Sequence, residues 1–290
     1  MIITIKNSDG VAVTVGNSYP FILSSIEGTE TVENNIETDE QYNLDGAVFV
    51  GQKLGVRDLR VEGRIVGNHE RDVEDLRRGL IEAGNPKKTF TFTVETNAKK
   101  YEIDVLAVIS PSFKVVESHP DLLDFSFQFK ALDPYWRDVS FYDSLIPLSK
   151  VVNMFQFPLD ITKDYIFATV KSGDIIQVNN DGDVSTGGIF SIKTFTICKN
   201  PRIYNVLTQE FFGFEGTYEA GTEFLIDTRR GKKKVVKIVN GTEVNAMSER
   251  LENSTFLFLE KGANYLQVQA DSGVDGVIVN LTFTPLVMGV

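Results

Sequence analysis

Leu122-Leu123-Asp124-Phe125-Ser126-Phe127-Gln128-Phe129-Lys130-Ala131-Leu132, followed by Asp133-Pro134-Tyr135-Trp136, decides how this chain is read. Apolar and polar residues alternate from Phe125 to Lys130. Successive side chains of a strand point to opposite faces, so Phe125, Phe127 and Phe129 share one face and Ser126, Gln128 and Lys130 the other. Asp133-Pro134 then stops the strand, because proline fixes φ and has no N–H to give to a sheet ladder. Tyr135 and Trp136 follow at once. They are read either as a sugar-stacking platform or as an aromatic pair anchoring the junction of two domains; the position directly after a strand-ending proline favours the second.

Composition agrees with a mainly β protein. The 290 residues suffice for one large or two ordinary domains. Phenylalanine is abundant, 21 residues against 1 Trp and 4 Met, and 23 Gly accompany many Asn and Asp turn signals. The net charge is −11, of which −8 lies up to Asp138. Readers of DNA or RNA need clustered positive charge, so sequence-specific nucleic-acid binding is not expected. An acidic wall past which DNA slides remains open. One cysteine, Cys198, excludes an intrachain disulfide and suits a reducing site of synthesis such as a bacterial cytoplasm. It is expected to be a buried apolar filler. Nothing resembles a cleaved signal or a membrane span.

Working outward, residues 1 to 23 read as two strands joined at Asn7-Ser8-Asp9-Gly10. Glu27 to Asp45 carries seven acidic residues and no basic one. It is read as a solvated surface loop, or alternatively as a contact arm to a neighbouring subunit. Strands resume at Ala47–Val50 and Arg57–Val66. One helix is expected from Asn68, as its cap, to about Ala83, with a stripe of Val73, Leu76, Leu80 and Ile81. Gly84-Asn85-Pro86 ends it. Strands Thr89–Thr96 and Tyr101–Ile109 precede the phenylalanine strand. Asp138 to about Lys150 reads as a joint, giving domains 1–138 and 139–290. In the second, turn signals at roughly ten-residue spacing suggest a β-sandwich; among them are Lys171–Asp174, Asn179–Asp183 and Asn240-Gly241.

No catalytic, cofactor or metal site emerges. His69 and His119 have no partner at zinc spacing. Asn179-Asn180-Asp181-Gly182-Asp183 superficially looks like a calcium loop but lacks its ligand alternation and closing glutamate, so a tight turn is expected. Arg229-Arg230-Gly231-Lys232-Lys233-Lys234 reads as a solvated hairpin tip or a contact with an acidic neighbour. Phe211-Phe212-Gly213-Phe214 is the nearest approach to a sugar site, although alternate phenylalanines more often face a core.

The strand closed by Asp133, Pro134, Tyr135 and Trp136 resembles the distal tail protein (Dit) family of long-tailed bacteriophages. Four further landmarks resemble it in matching order. They are Val178–Asp183 with Gly182 and Asp183; Ala220–Arg229 with Gly221, Glu223, Ile226 and Asp227; Phe258–Leu266 with Gly262 and Asn264; and Phe283–Val290. Relatives often have an aromatic near the final Gly-Val, where this chain has Leu286-Val287-Met288. The resemblance spans nearly the whole chain. It implies a β-rich N-terminal ring domain with one helix and a galectin-like or carbohydrate-module-like C-terminal sandwich. It also implies a hexameric ring at the virion tail tip, joining the tail tube to the tail-associated (Tal) protein and docking receptor-binding or other baseplate proteins. The role would be structural, without catalysis. The helix and the acidic segment are the expected subunit contacts. The rival is a carbohydrate-binding adhesion protein acting through its C-terminal sandwich. A wall-degrading hydrolase lacks a recognisable nucleophile or metal site.

Overall fold

The computed structural model describes every residue except 41, 43, 44, 118, 120, 142–144, 154–167, 172 and 240. Parts of the acidic segment, of the expected joint and of the turns at Lys171–Asp174 and Asn240-Gly241 therefore lie outside the described residues. The chain is mostly β and divides into two compact units, Met1–Ser140 with Leu286–Val290, and Phe141–Pro285.

The first unit begins with β1 (Ile2–Asn7), β2 (Ala12–Val15), β3 (Phe21–Glu27), β4 (Asn34–Asp39), β5 (Val48–Leu54) and β6 (Arg57–Val66). Helix α1 (Glu70–Ala83) leads to β7 (Thr89–Glu95), β8 (Lys100–Ala107), β9 (Ser112–Val115), β10 (Leu122–Ala131) and β11 (Trp136–Asp138). Strand β10 is the phenylalanine run, and it pairs with β6 from Leu122↔Val66 to Ala131↔Arg57. Leu123, Phe125, Phe127, Phe129 and Ala131 are all buried, so the period-2 reading holds. The rings of Phe125, Phe127 and Phe129 pack in sequence at centroid distances of 5.7 Å. Gly63 lies opposite Phe125 because a Cβ there would come within 2.5 Å of the ring. The main sheet runs β2-β1-β7-β8-β10-β6-β3, antiparallel throughout.

Three local expectations are corrected here. The residue before α1 is His69, in an extended conformation and without a side-chain cap, rather than Asn68. The helix buries Val73, Leu80 and Ala83, whereas Ile81 faces solvent: one residue past Leu80 is a turn of about 100°, off the buried stripe. The turn at Asn7 joins β1 to β2 as expected, its Oδ1 accepting from the Asp9 and Val11 amides at 3.0 Å, but a third strand starts by Phe21.

The second unit starts with β12 (Ile146–Pro147), β13 (Lys150–Asn153), β14 (Ala168–Lys171), β15 (Ile175–Asn180), β16 (Gly188–Thr194), β17 (Cys198–Lys199) and β18 (Arg202–Asn205). It continues with β19 (Phe211–Gly213), β20 (Thr217–Tyr218), β21 (Glu223–Asp227), β22 (Lys234–Val239), β23 (Thr242–Asn245), β24 (Gly262–Gln269) and β25 (Val277–Phe283). A sheet ordered β12-β25-β16-β21-β22-β23 and another ordered β15-β24-β18-β19 enclose one core. Phe190, Phe224, Ile226 and Leu281 come from the first sheet, and Val178, Ile203, Phe212 and Leu266 from the second. This is the expected sandwich.

The last five residues do not stay with it. β26 (Leu286–Val287) pairs with β11 through Trp136↔Val287 and Arg137↔Leu286. Sequence placed 139–290 together; the ladder assigns Leu286–Val290 to the first unit.

Candidate functional site

Arg57 opens β6 and lies on the strand face that also carries Leu59, Val61 and Ile65. It is 1% exposed. A buried cation needs every N–H satisfied. Its Nε donates to the Pro134 carbonyl at 2.8 Å, and Nη1 to the carbonyls of Gly28, Thr29 and Thr31 at 2.5, 2.9 and 3.2 Å. Nη2 donates to the Met288 carbonyl. The guanidinium also lies 5.7 Å from the centre of the Trp136 ring. Burial pulls its pKa down to about 10, which leaves it charged at neutral pH.

The chain around it is shaped to bring those carbonyls in. Gly28 adopts φ +86°, and a Cβ there would lie 1.9 Å from the Asp58 carbonyl oxygen. Trp136 is fully buried, donates from Nε1 to the Thr29 carbonyl at 3.1 Å, and meets Phe92 edge-on at 6.0 Å. The Val290 amide donates to the same Thr29 carbonyl at 3.2 Å. Pro134 and Trp136 of the first landmark and Met288 of the last thus meet at one buried cation. Gly289 has no room for a side chain, since a Cβ would sit 2.6 Å from the Glu30 carbonyl oxygen. Gly289→Val is expected to destabilise the first unit by about 2 kcal/mol through overpacking against backbone, measured by urea unfolding.

Trp136 belongs to the core of the first unit, so neither the sugar platform nor the junction anchor describes it. The other landmarks are turn clamps in the second unit. Asn180 is buried, donates to the Val184 and Leu259 carbonyls at 3.0 Å, and accepts from the Gly182 amide at 3.0 Å. Asp183 pairs with Lys261 at 3.7 Å. Asn264 accepts from the Glu260 amide at 2.9 Å and donates to the Glu260 and Gly262 carbonyls at 2.8 and 3.0 Å. Gly262 and Gly221 take positive φ, which an L side chain rarely adopts. In β21, Glu223 pairs with Lys193, Ile226 is buried, and Asp227 holds Arg229 at 2.6 Å. The basic tip between β21 and β22 is a turn, as expected, with Lys233 over the Phe256 ring.

No metal cluster occurs among the described residues, and the Asn180 side chain is occupied by its own turn. Phe212 and Phe214 are core residues. Cys198 is buried, and burial together with the nearby Asp271 carboxylate pushes its thiol up to about 11. The unfolded chain loses this proton near pH 9, so folding stability falls as pH rises from about 9 to 11. Cys198 is expected to resist iodoacetamide at pH 8 for hours and to react at once in denaturant, measured by mass spectrometry.

Within the acidic segment, Asn34–Asp39 form a strand rather than a loop. β4 and β5 pair only with each other among the described residues, with a register shift between Glu37 and Thr38. Cross-strand partners share a face, which places Ile36, Phe49 and Leu54 beside their partners Gln52, Thr38 and Asn34 on one side, and Glu37, Asp39 and Lys53 with Val48 on the other. Phe49 is 60% exposed, Val50 62% and Ile36 59%.

The role of Arg57 and the strand β4 are what sequence reading missed, whereas Ala47–Val50 reads as a strand and overlaps β5. Arg57 has the parity of Leu59, Val61 and Ile65, so a charge stood on the apolar face of its own strand. Among the described residues β4 buries neither face, so it leaves no alternation to read.

Residues 8–126 match the family described as phage tail protein RIFT-related domain, and residues 181–285 match siphovirus-type tail component, C-terminal domain. No curated protein sequence matches the chain. Among solved structures, the phage SPP1 Dit (gp 19.1) protein, described as a paradigm of the hub adsorption apparatus in Gram-positive infecting phages, is similar with a TM-score of 0.68 at 14% identity. The similarity covers 98% of both chains. A chain of the phage P2 baseplate in its activated conformation with Ca is similar with a TM-score of 0.50 at 10% identity, over 97% of this chain and 98% of that one. With both family domains in order, this chain belongs to the siphovirus-type distal tail (Dit) component family, structural rather than enzymatic proteins of the phage tail.

Proposed function

We propose that this protein is the hub of a phage tail tip, closing six copies into a ring that joins the tail tube to the Tal and receptor-binding apparatus. The observation that carries this reading is the β4–β5 hairpin. An isolated two-stranded hairpin is marginal in water, and exposed edges are ready templates for pairing with another chain. This one also shows Ile36 and Phe49 to solvent. A neighbouring copy that pairs with a hairpin edge and covers Ile36 and Phe49 would make a head-to-tail contact, which repeats around a cyclic ring. The hub description of the similar SPP1 protein and the baseplate setting of the similar P2 chain support the same role. The acidic balance of the first 138 residues suits a lumen that repels DNA phosphates. Synthesis in the host cytoplasm precedes assembly into the virion. A pull-down of purified tail-tube protein by the assembled ring tests the joining role; no capture at micromolar concentration would contradict it.

A further inference from the structure

We propose that the returning tail, Leu286–Val290, latches the root of the β4–β5 hairpin and so holds the hairpin in the direction that self-association requires. The last step rests on the hairpin contact proposed above. Strands β4 and β5 pair with no other strand among the described residues, so the hairpin takes its direction from where it leaves the first unit. Its roots are the chain before Asn34 and the chain after Leu54. The Gly55 amide ties the two together, donating to the Glu33 carbonyl at 2.8 Å.

Both roots run into the Arg57 site. Arg57 follows closely on Leu54, and its Nη1 grips the carbonyls of Gly28, Thr29 and Thr31 on the other root. Residues 28–33 belong to no strand, so side chains and neighbouring backbone must hold their polar groups. The tail supplies a further hold. Pairing of Val287 with Trp136 seats it, and the Trp136 indole reaches the Thr29 carbonyl. The Met288 carbonyl accepts from Arg57 Nη2, and the Val290 amide donates to the Thr29 carbonyl. Between them, Gly289 lies with its backbone against Glu30.

Small movements at this root are amplified along the hairpin. The six residues of β4 span about 20 Å. A swing of about 10° at the root carries the far end by about 3.5 Å, more than the hydrogen bonds of an edge ladder tolerate. A hairpin held in one direction also has less freedom to lose when a second copy pairs with it. The tail leaves the second unit at the end of β25, with only Thr284 and Pro285 before β26. The C-terminal end of the chain thereby contributes a positioning segment to a contact made near its beginning.

The test sets Gly289→Val, which leaves the tail no room beside Glu30, against Val73→Ala in the full chain. Val73 is a buried residue of α1 that packs by Gly67, beyond the end of β6 opposite Arg57, so its truncation loosens the first unit away from the root. In chains that also carry Ile36→Asp and Phe49→Asp, to suppress association, hydrogen exchange of residues 29–35 and 53–57 is followed by mass spectrometry. Gly289→Val should speed this exchange about tenfold or more, while Val73→Ala leaves it unchanged. If Gly289→Val fails to fold, Val290→Pro carries the comparison, because it deletes the N–H that reaches Thr29. Unchanged exchange at the root, or an equal rise with Val73→Ala, overturns the latch. With Ile36 and Phe49 restored, sedimentation velocity should show self-association weakened about tenfold or more by Gly289→Val and unaltered by Val73→Ala. Faster root exchange with undiminished association overturns the hairpin contact and supports the latch.

Discussion

Arg57→Met lowers the stability of the first unit by about 4 kcal/mol. Methionine fills much of the same volume but donates nothing. The carbonyls of Gly28, Thr31, Pro134 and Met288 lose the guanidinium that reaches them, whereas the Thr29 carbonyl keeps the Trp136 indole and the Val290 amide. Losing a donor costs an acceptor about 1–3 kcal/mol when it is fully buried, and these four are partly buried. Water entering the site recovers part of this, which is why the expected loss is below the simple total. In a unit of this size the melting midpoint should drop by about 10 °C. Arg57→Lys restores little, because one ammonium offers three donors and no planar fork. Urea unfolding monitored by the buried Trp136 reports the change directly. An Arg57→Met protein within about 1 kcal/mol of the parent would show that the cation is dispensable to the carbonyls around it.

The second large effect concerns assembly and leaves folding alone. Ile36→Asp with Phe49→Asp replaces two exposed apolar side chains on one face of the hairpin by charges, opposite a face that carries Glu37 and Asp39. Both side chains are exposed in the single chain, so the melting midpoint should move by no more than a few degrees. Burying either aspartate against a neighbouring copy would cost far more than the apolar contact it replaces. Self-association should weaken by about 100-fold or more, about 3 kcal/mol. Sedimentation velocity over a concentration series separates the two proteins. Equal association of parent and variant would remove the hairpin from the subunit contact.

How much could be read in advance follows from where each element buries its side chains. β6 and β10 were legible almost to the residue, because one buried face imposes a strict period of two. Helix α1 was legible from its stripe and its Gly84 stop, yet its start was not, since His69 enters in an extended conformation without a capping side chain. Strand β4 was hidden because all six of its residues are exposed in this chain, so acidity alone suggested a loop. The return of Leu286–Val290 was hidden for another reason: pairing with Trp136 and Arg137 is long-range and leaves no local pattern. Asp133-Pro134-Tyr135-Trp136 and Gly289-Val290 were noticed as separate landmarks. Only the backbone shows that Arg57 gathers both, and the signal that pointed there was a charge at apolar parity.

The central claim, ring formation through the hairpin, is tested most directly by the mass of the purified protein in solution, measured by light scattering from low to high micromolar concentration. The account predicts a species of six copies of the 32.4 kDa chain, reduced to single chains by the Ile36→Asp and Phe49→Asp pair. A parent protein that stays at 32.4 kDa at every concentration, or that closes with another copy number, would contradict it.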